Sequence, residues 1–92
     1  MGSSNSNSKA DATEVMDLIK ENKVMVFSKS YCPHCTRAKS LLKNGGIQHK
    51  VVELDQRGNG SQMQNYLEAT SGQRTVPNIF VAEKHLGGNS EL

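Results

Sequence analysis

Val24-Met25-Val26-Phe27-Ser28-Lys29-Ser30-Tyr31-Cys32-Pro33-His34-Cys35 is the stretch that decides how this chain folds. Its first four residues are apolar, the composition of a short strand buried on both faces. From Pro33 onward the spacing is helical. Pro33 suits a first helical turn, where its missing N–H would have no partner in any case. A strand therefore runs into a helix across a short loop, and the only two cysteines of the chain stand at that junction. Cys32 lies where the helix N-terminus favours an anion, and thiolate is the reactive form of cysteine. Two thiols at this spacing can close into a small disulfide ring and open again, so the stretch reads as a redox site. A CxxC pair is also half of a structural zinc site, but zinc normally takes four ligands. His34, His49 and His85 are the remaining good donors, and none pairs with another in a motif. Inert buried thiols, or a cluster ligated between subunits, are the other readings of the same pair.

Upstream, Asp11 and Glu14 form a capping-box-like pair followed by Val15, Leu18 and Ile19 at helical spacing, which predicts a helix over Ala12 to Asn22. Val24 to Phe27 is the first strand. The second helix, from Pro33, turns Cys35, Ala38, Leu41 and Leu42 inward and ends at Gly45-Gly46. Gln48 to Leu54 is a valine-rich second strand, followed by the Gly-rich turn Gln56-Arg57-Gly58-Asn59-Gly60. Ser61 with Gln64 reads as a second capping box. It leads a helix that places Met63, Tyr66, Leu67 and Thr70 on one face and stops at Gly72. Asn78 to Val81 is a third strand, Ala82-Glu83 a turn, and Lys84 to Leu86 a fourth strand broken by Gly87-Gly88. The order α, β, α, β, α, β, β requires a right-handed parallel crossover followed by an antiparallel hairpin. The fold class is therefore α/β, with a mixed four-stranded sheet flanked by helices.

Ninety-two residues bound this to one small domain. We expect a disordered tail over residues 1–9, which hold almost nothing apolar, and a folded domain over residues 10–92. Eleven Lys and Arg against nine Asp and Glu leave a net charge of only +2, which does not suggest nucleic acid. No apolar run approaches the roughly 20 residues of a membrane span, and no secretory signal is visible. Two cysteines in such a chain read as catalytic or metal-binding rather than as a disulfide framework, and the expected location is cytoplasmic. Gly2 followed by Ser6 matches the myristoylation pattern, although a Ser/Asn/Gly opening is equally a tail.

Four separated motifs together resemble the glutaredoxins. They are Phe27-Ser28-Lys29-Ser30-Tyr31-Cys32-Pro33-His34-Cys35, Val52-Glu53-Leu54-Asp55, Gly72-Gln73-Arg74-Thr75-Val76-Pro77-Asn78-Ile79-Phe80-Val81, and His85-Leu86-Gly87-Gly88-Asn89-Ser90. The resemblance spans residues 12 to 92. It implies a thioredoxin-like fold of the dithiol, CPxC class and glutathione-dependent thiol–disulfide exchange. Two departures stand out. His34 occupies the position where the family usually has Tyr. Dithiol members also continue past the Gly-Gly turn into a last helix, whereas this chain stops at Ser90-Glu91-Leu92, which would be that helix's cap and first turn.

Cys32 is the expected nucleophile. The helix N-terminus, the nearby cation Lys29 and hydrogen bonds from helix N–H groups all favour its thiolate. Arg37 and Lys39 add charge to the same helix. Cys35, inside the first turn, is expected to be shielded and less acidic. By resemblance, Cys32 attacks a mixed disulfide between glutathione and a protein, and a second glutathione or Cys35 resolves the adduct. The resemblance also implies a glutathione site. Lys29 and Arg74 would meet the glycine carboxylate region, Val76 would pair its backbone with the glutathione cysteine, and Thr75 belongs to the same glutathione site. Pro77 would be cis, and Gly88, Asn89 and Ser90 would receive the γ-glutamyl end. His34 would line the groove or, when protonated, stabilise the thiolate. His49 reads as a strand-surface residue, and His85 as facing solvent or a hairpin neighbour. Glutathione is the expected co-substrate and no metal is expected. The partners are glutathionylated or disulfide-bonded proteins, and the protein acts as a monomer. The alternative is a glutathione-assisted carrier with Cys32 of two subunits holding a [2Fe–2S] cluster. A thioredoxin reading is weaker, since Trp-Cys-Gly-Pro-Cys is absent.

Overall fold

In this computed structural model residues 2–88, Ser90 and Leu92 are described. The elements run α1 (Gly2–Glu21), β1 (Val24–Ser28), α2 (Pro33–Asn44), β2 (Lys50–Glu53), a single 3-10 turn (Leu54–Gln56), α3 (Gly60–Ser71), β3 (Asn78–Val81) and β4 (Lys84–Gly87). The sheet order is β2-β1-β3-β4, with β1 parallel to β2 and antiparallel to β3, and β3 antiparallel to β4. This is the mixed four-stranded, thioredoxin-like arrangement that the motifs imply.

All five residues of β1 are buried, as a central strand covered on both faces must be. Their alternation divides the core in two. Met25 and Phe27 face Val15 of α1, Met63 and Leu67 of α3, and Val52, Leu54 and Phe80. Val24 and Val26 face Ala38 and Leu42 of α2, together with Ile79. Phe27 and Phe80 meet edge to face at 6.1 Å, the arrangement that aromatic quadrupoles prefer. Two helices thus cover one face and α2 covers the other.

Several elements differ from their sequence expectation. α1 begins at Gly2, not near Ala12, so helix takes the place of the expected tail over 2–9. No proline interrupts that stretch, and Ser and Asn are only moderately poor helix formers, so the sequence tolerates a continuous helix there. Asp11 and Glu14 consequently cap nothing. Their carboxylates accept from Asn59 Nδ2 at 2.8 and 3.0 Å, and Glu14 also pairs with Arg57, which ties the turn before α3 to α1. Ser61 and Gln64 form no capping box, because α3 already begins at Gly60 and Asn59 takes the N-cap position. Leu41 is exposed, since the inward stripe of α2 is Cys35, Ala38 and Leu42. Thr70 is exposed for the corresponding reason on α3. The expectation that the chain ends at the first turn of a further helix falls on a stretch in which Asn89 and Glu91 lie outside the described residues.

The β3–β4 hairpin turns through Ala82 and Glu83, both with positive φ (51° and 70°). That is the two-residue turn whose twist matches antiparallel strands.

Candidate redox site

Cys32 is the N-cap of α2, with φ −90° and ψ 120°, and Pro33 takes the first helical position. The loop leading to it is held at both ends. Cys32 N–H donates to Lys29 O at 3.1 Å. Asp55, just past β2, accepts from Ser30 N–H at 2.9 Å and from the Ser30 hydroxyl. Those two bonds hold the Asp55 carboxyl below its ordinary pKa, with the Lys29 charge adding to them.

The two thiols are free and unequal: Cys32 is half-buried and Cys35 is fully buried. Cys35 N–H donates to Cys32 Sγ at 3.3 Å, and Cys32 Sγ lies 3.7 Å from Val76 O. Partial burial pushes the Cys32 thiol up. Hydrogen bonds from the Cys35 thiol and from the Cys35 and His34 backbone, with the Lys39 charge, outweigh it and leave the pKa below the ordinary value. Burial and then the bond to Cys32 push Cys35 up; the Lys29 backbone and the Ser28 hydroxyl only partly oppose this. The expected asymmetry is present; the Lys39 charge helps to lower Cys32, and the Lys29 charge helps to lower Asp55.

This asymmetry predicts selective alkylation. At about pH 6, where an ordinary cysteine is almost wholly thiol, iodoacetamide labels Cys32 and spares Cys35. Raising the pH through the ordinary range brings Cys32 to full labelling first. Mass spectrometry of the labelled peptide checks this, and equal labelling of both thiols at the low pH refutes it.

Two adjoining grooves flank the Thr75–Val76 segment. One, of about 550 Å³, is lined by Lys29, Tyr31, Cys32, Gln64, Arg74 and Val76, among others. The second, of about 330 Å³, is lined by His34, Arg37, Pro77, Gly88 and Ser90 with Thr75 and Val76 between. Every residue expected at the site therefore lines one groove or the other, except Cys35, which lies beneath, and Asn89, which is outside the described residues. The Val76–Pro77 peptide is cis. Gln73 braces this segment, donating through Nε2 to Thr75 O and Pro77 O, both at 3.0 Å.

Arg74 lines the groove as expected, but its side chain is already occupied. Its guanidinium is engaged by Asn65 at 2.7 Å and Glu68 at 3.1 Å, so Glu68 competes for it with any incoming carboxylate. Gln64 and Tyr31 are groove residues that sequence reasoning missed. Gln64 read as a cap partner, and nothing local marks it as facing the redox loop. It donates to Arg74 O at 2.6 Å. His85 meets a hairpin neighbour as expected: it bonds Asn78 Oδ1 at 2.9 Å and packs on Phe80. His49 precedes β2, its Nδ1 2.7 Å from Ile47 O.

The chain is similar to known proteins in sequence and in fold. The glutaredoxin family model matches residues 24–86. A glutaredoxin of Ricinus communis is 51% identical over 76 residues, covering 83% of this chain and 74% of that protein. Glutaredoxin-C2 of Arabidopsis thaliana is 49% identical over 72 residues, 78% of this chain and 65% of that protein. Among solved structures, the buckwheat glutaredoxin–glutathione complex matches with a TM-score of 0.88 at 39% identity, covering 91% of this chain and 76% of that one. The holo form of glutaredoxin C1 from Populus tremula x tremuloides matches at 0.85 and 43% identity, covering 89% and 81%.

Proposed function

This chain belongs to the glutaredoxin family, and from that premise we propose that it is a glutathione-dependent thiol–disulfide oxidoreductase acting on glutathione–protein mixed disulfides. One observation carries the reading: the more acidic thiol, Cys32, caps a helix at the mouth of a groove that also holds Lys29, Arg74 and Val76. The buckwheat relative, solved with glutathione, supports the choice of ligand.

The Cys32 thiolate attacks the glutathione sulfur of the mixed disulfide. A Cys32–glutathione bond forms, and the protein thiol leaves and takes up a proton. A second glutathione thiolate then attacks the glutathione sulfur of the adduct, releasing Cys32 and oxidised glutathione. Alternatively Cys35 attacks Cys32 Sγ, and the internal ring is later reduced. Lys29 and Arg74 attract the glycine carboxylate. Thr75 and Val76 offer backbone groups to the glutathione cysteine, with Pro77 shaping the segment. His34, Gly88 and Ser90 form the side that takes the γ-glutamyl end. A monomer acting in the cytoplasm on glutathionylated or disulfide-bonded proteins completes the proposal. Sedimentation and cell fractionation test those two parts.

The direct test is turnover of a small glutathione mixed disulfide, followed by NADPH loss with glutathione and glutathione reductase present. Activity dependent on Cys32 supports the reading; an inactive, folded protein refutes it. In the same assay Lys29→Gln is expected to raise KM more than it lowers kcat, because a carboxylate contact made equally in ground and transition states behaves so. A charged hydrogen bond of roughly 1.5–3 kcal/mol corresponds to a KM rise of about tenfold or more. Arg74→Gln is expected to change KM less, because that guanidinium already shares its charge with Glu68. Unchanged kinetics for Lys29→Gln would return this lysine to the solvated surface.

A further inference from the structure

The Thr75–Pro77 segment, which offers its backbone to the groove, is held by side chains that do not line the groove themselves. Gln73 places both of its amide protons there, Nε2 donating to Thr75 O and to Pro77 O, each at 3.0 Å. Gln73 is itself fixed. Its N–H donates to the Ser71 hydroxyl oxygen at 3.2 Å, and its carbonyl accepts from Asn78 Nδ2 at 3.3 Å. Asn78 is fully buried at the start of β3. Its Nδ2 also donates to Ser71 Oγ at 3.4 Å, and its Oδ1 lies 2.9 Å from His85 Nε2. The Ser71 hydroxyl in turn donates to Leu67 O at 2.7 Å. A hydroxyl has one proton and a side-chain amide two, so every proton of these three side chains is placed. The network ties Gln73 to the end of α3 and to β3, two regular elements.

A peptide unit is planar, and in the trans form its N–H points opposite to its C=O. The Thr75–Val76 bond is trans. The Thr75 carbonyl and the Val76 N–H therefore lie in one plane and point opposite ways. With Thr75 O held by Gln73, the Val76 N–H is turned away from Gln73. Val76 lines the groove beside Cys32, and its N–H has no partner among the described residues. Its carbonyl lies 3.7 Å from Cys32 Sγ. We propose that Gln73 is a positioning residue for the substrate: by holding Thr75 O and Pro77 O it aims the Val76 N–H at the carbonyl of the glutathione cysteine. This rests on the reading of the groove as a glutathione site. Gln73 lines neither groove, so it acts through Val76 and not by contact with the ligand. The requirement is for two protons on one nitrogen, since two carbonyl oxygens must be held at once. Glutamate, of the same length, would bring only acceptors to them when ionised.

The test is steady-state turnover of a small glutathione mixed disulfide by Gln73→Ala and Gln73→Glu, set beside the rate at which iodoacetamide alkylates Cys32. Iodoacetamide needs the thiolate but not the Val76 N–H. Both variants are expected to raise KM about tenfold, the loss of one well-formed hydrogen bond to the ligand. The kcat should stay within about twofold, because the contact is made in ground and transition states alike, and the alkylation rate should not change. Gln73→Glu keeps the volume of the side chain but at neutral pH has no proton to donate, so it should be as impaired as Gln73→Ala. A normal KM in Gln73→Glu assigns the effect to packing and overturns the proposal. So does an unchanged KM in both variants. A fall in kcat and alkylation that matches the rise in KM marks a general loosening of the site and overturns it as well. If Gln73→Ala does not fold, the volume-conserving Gln73→Glu at this half-buried position decides by the same readouts. Folded, unmodified protein that is alkylated at Cys32 yet turns over no glutathione disulfide strikes at the glutathione reading and overturns this proposal with it.

Discussion

Cys32→Ser is expected to abolish turnover of a glutathione mixed disulfide, whereas Cys35→Ser is expected to keep it. The reason lies in where the sulfurs sit. Cys32 Sγ opens onto the groove and receives the Cys35 N–H, so the charge on its thiolate is met by the first turn of α2. Serine at that position would keep the hydrogen bond and lose the nucleophile, because a hydroxyl has no comparable anion at neutral pH. Cys35 is fully buried and more basic. It cannot reach a substrate in the groove, and the only disulfide it can resolve is one on its neighbour. With Cys35→Ser, free glutathione resolves the adduct instead, so deglutathionylation persists. Reduction of substrates that need the internal dithiol is lost, and oxidation leaves a stable Cys32–glutathione adduct, visible as a mass increase. Circular dichroism must show the fold intact in both variants. A dead but folded Cys35→Ser enzyme in the mixed-disulfide assay would remove the monothiol route and move the reading toward a dithiol reductase.

Gly60→Ala is expected to be the most destabilising single-methyl change where the chain enters α3. Helix propensity alone predicts the opposite, since Ala improves on Gly by about 1 kcal/mol inside a helix. Here a Cβ would stand 1.9 Å from Leu54 O and 2.8 Å from the Leu54 carbonyl carbon. Both are backbone atoms, so no side chain can swing away. Either α3 or the 3-10 turn must move, at a cost near the upper end of overpacking penalties, about 3 kcal/mol. For a domain of this size that is a fall in Tm of about 12 °C or more. The displacement also reaches the site, because the 3-10 turn carries Asp55, which holds Ser30 and the redox loop. Gly58→Ala is the control. A Cβ there meets nothing within 4 Å, so its effect should stay within about 0.5 kcal/mol. Equal melting temperatures for the two variants would contradict the close approach at Gly60.

The order of elements, the central buried strand and the thiol pair at a strand-to-helix junction were all determined by the sequence alone. Each rests on local chemistry. Val24 to Phe27 is an unbroken apolar run, Pro33 marks a helix start, Gly45 and Gly72 mark helix ends, and Cys32-Pro33-His34-Cys35 keeps two thiols within one helical turn of each other. Thr75, Val76 and Pro77 were legible as site residues only because their motif resembled a family, not because their position could be calculated.

Other features were decided by tertiary structure. Leu41 and Leu42 look alike in sequence, and only the seating of α2 on the sheet buries one and exposes the other. Five consecutive turn residues include two glycines, and only the approach of α3 to Leu54 makes Gly60 obligatory and Gly58 indifferent. Arg74 reads as a free groove cation until α3 brings Glu68 to it. Ser28 and Glu53 lie 25 positions apart, and the parallel register of β1 and β2 makes them neighbours, with Lys39 closing over them from α2. Periodicity and turn chemistry leave a mark on adjacent residues and so can be read from one sequence. A contact between distant positions leaves no local mark, because it depends on how whole elements pack, and it becomes visible only when the sheet is assembled.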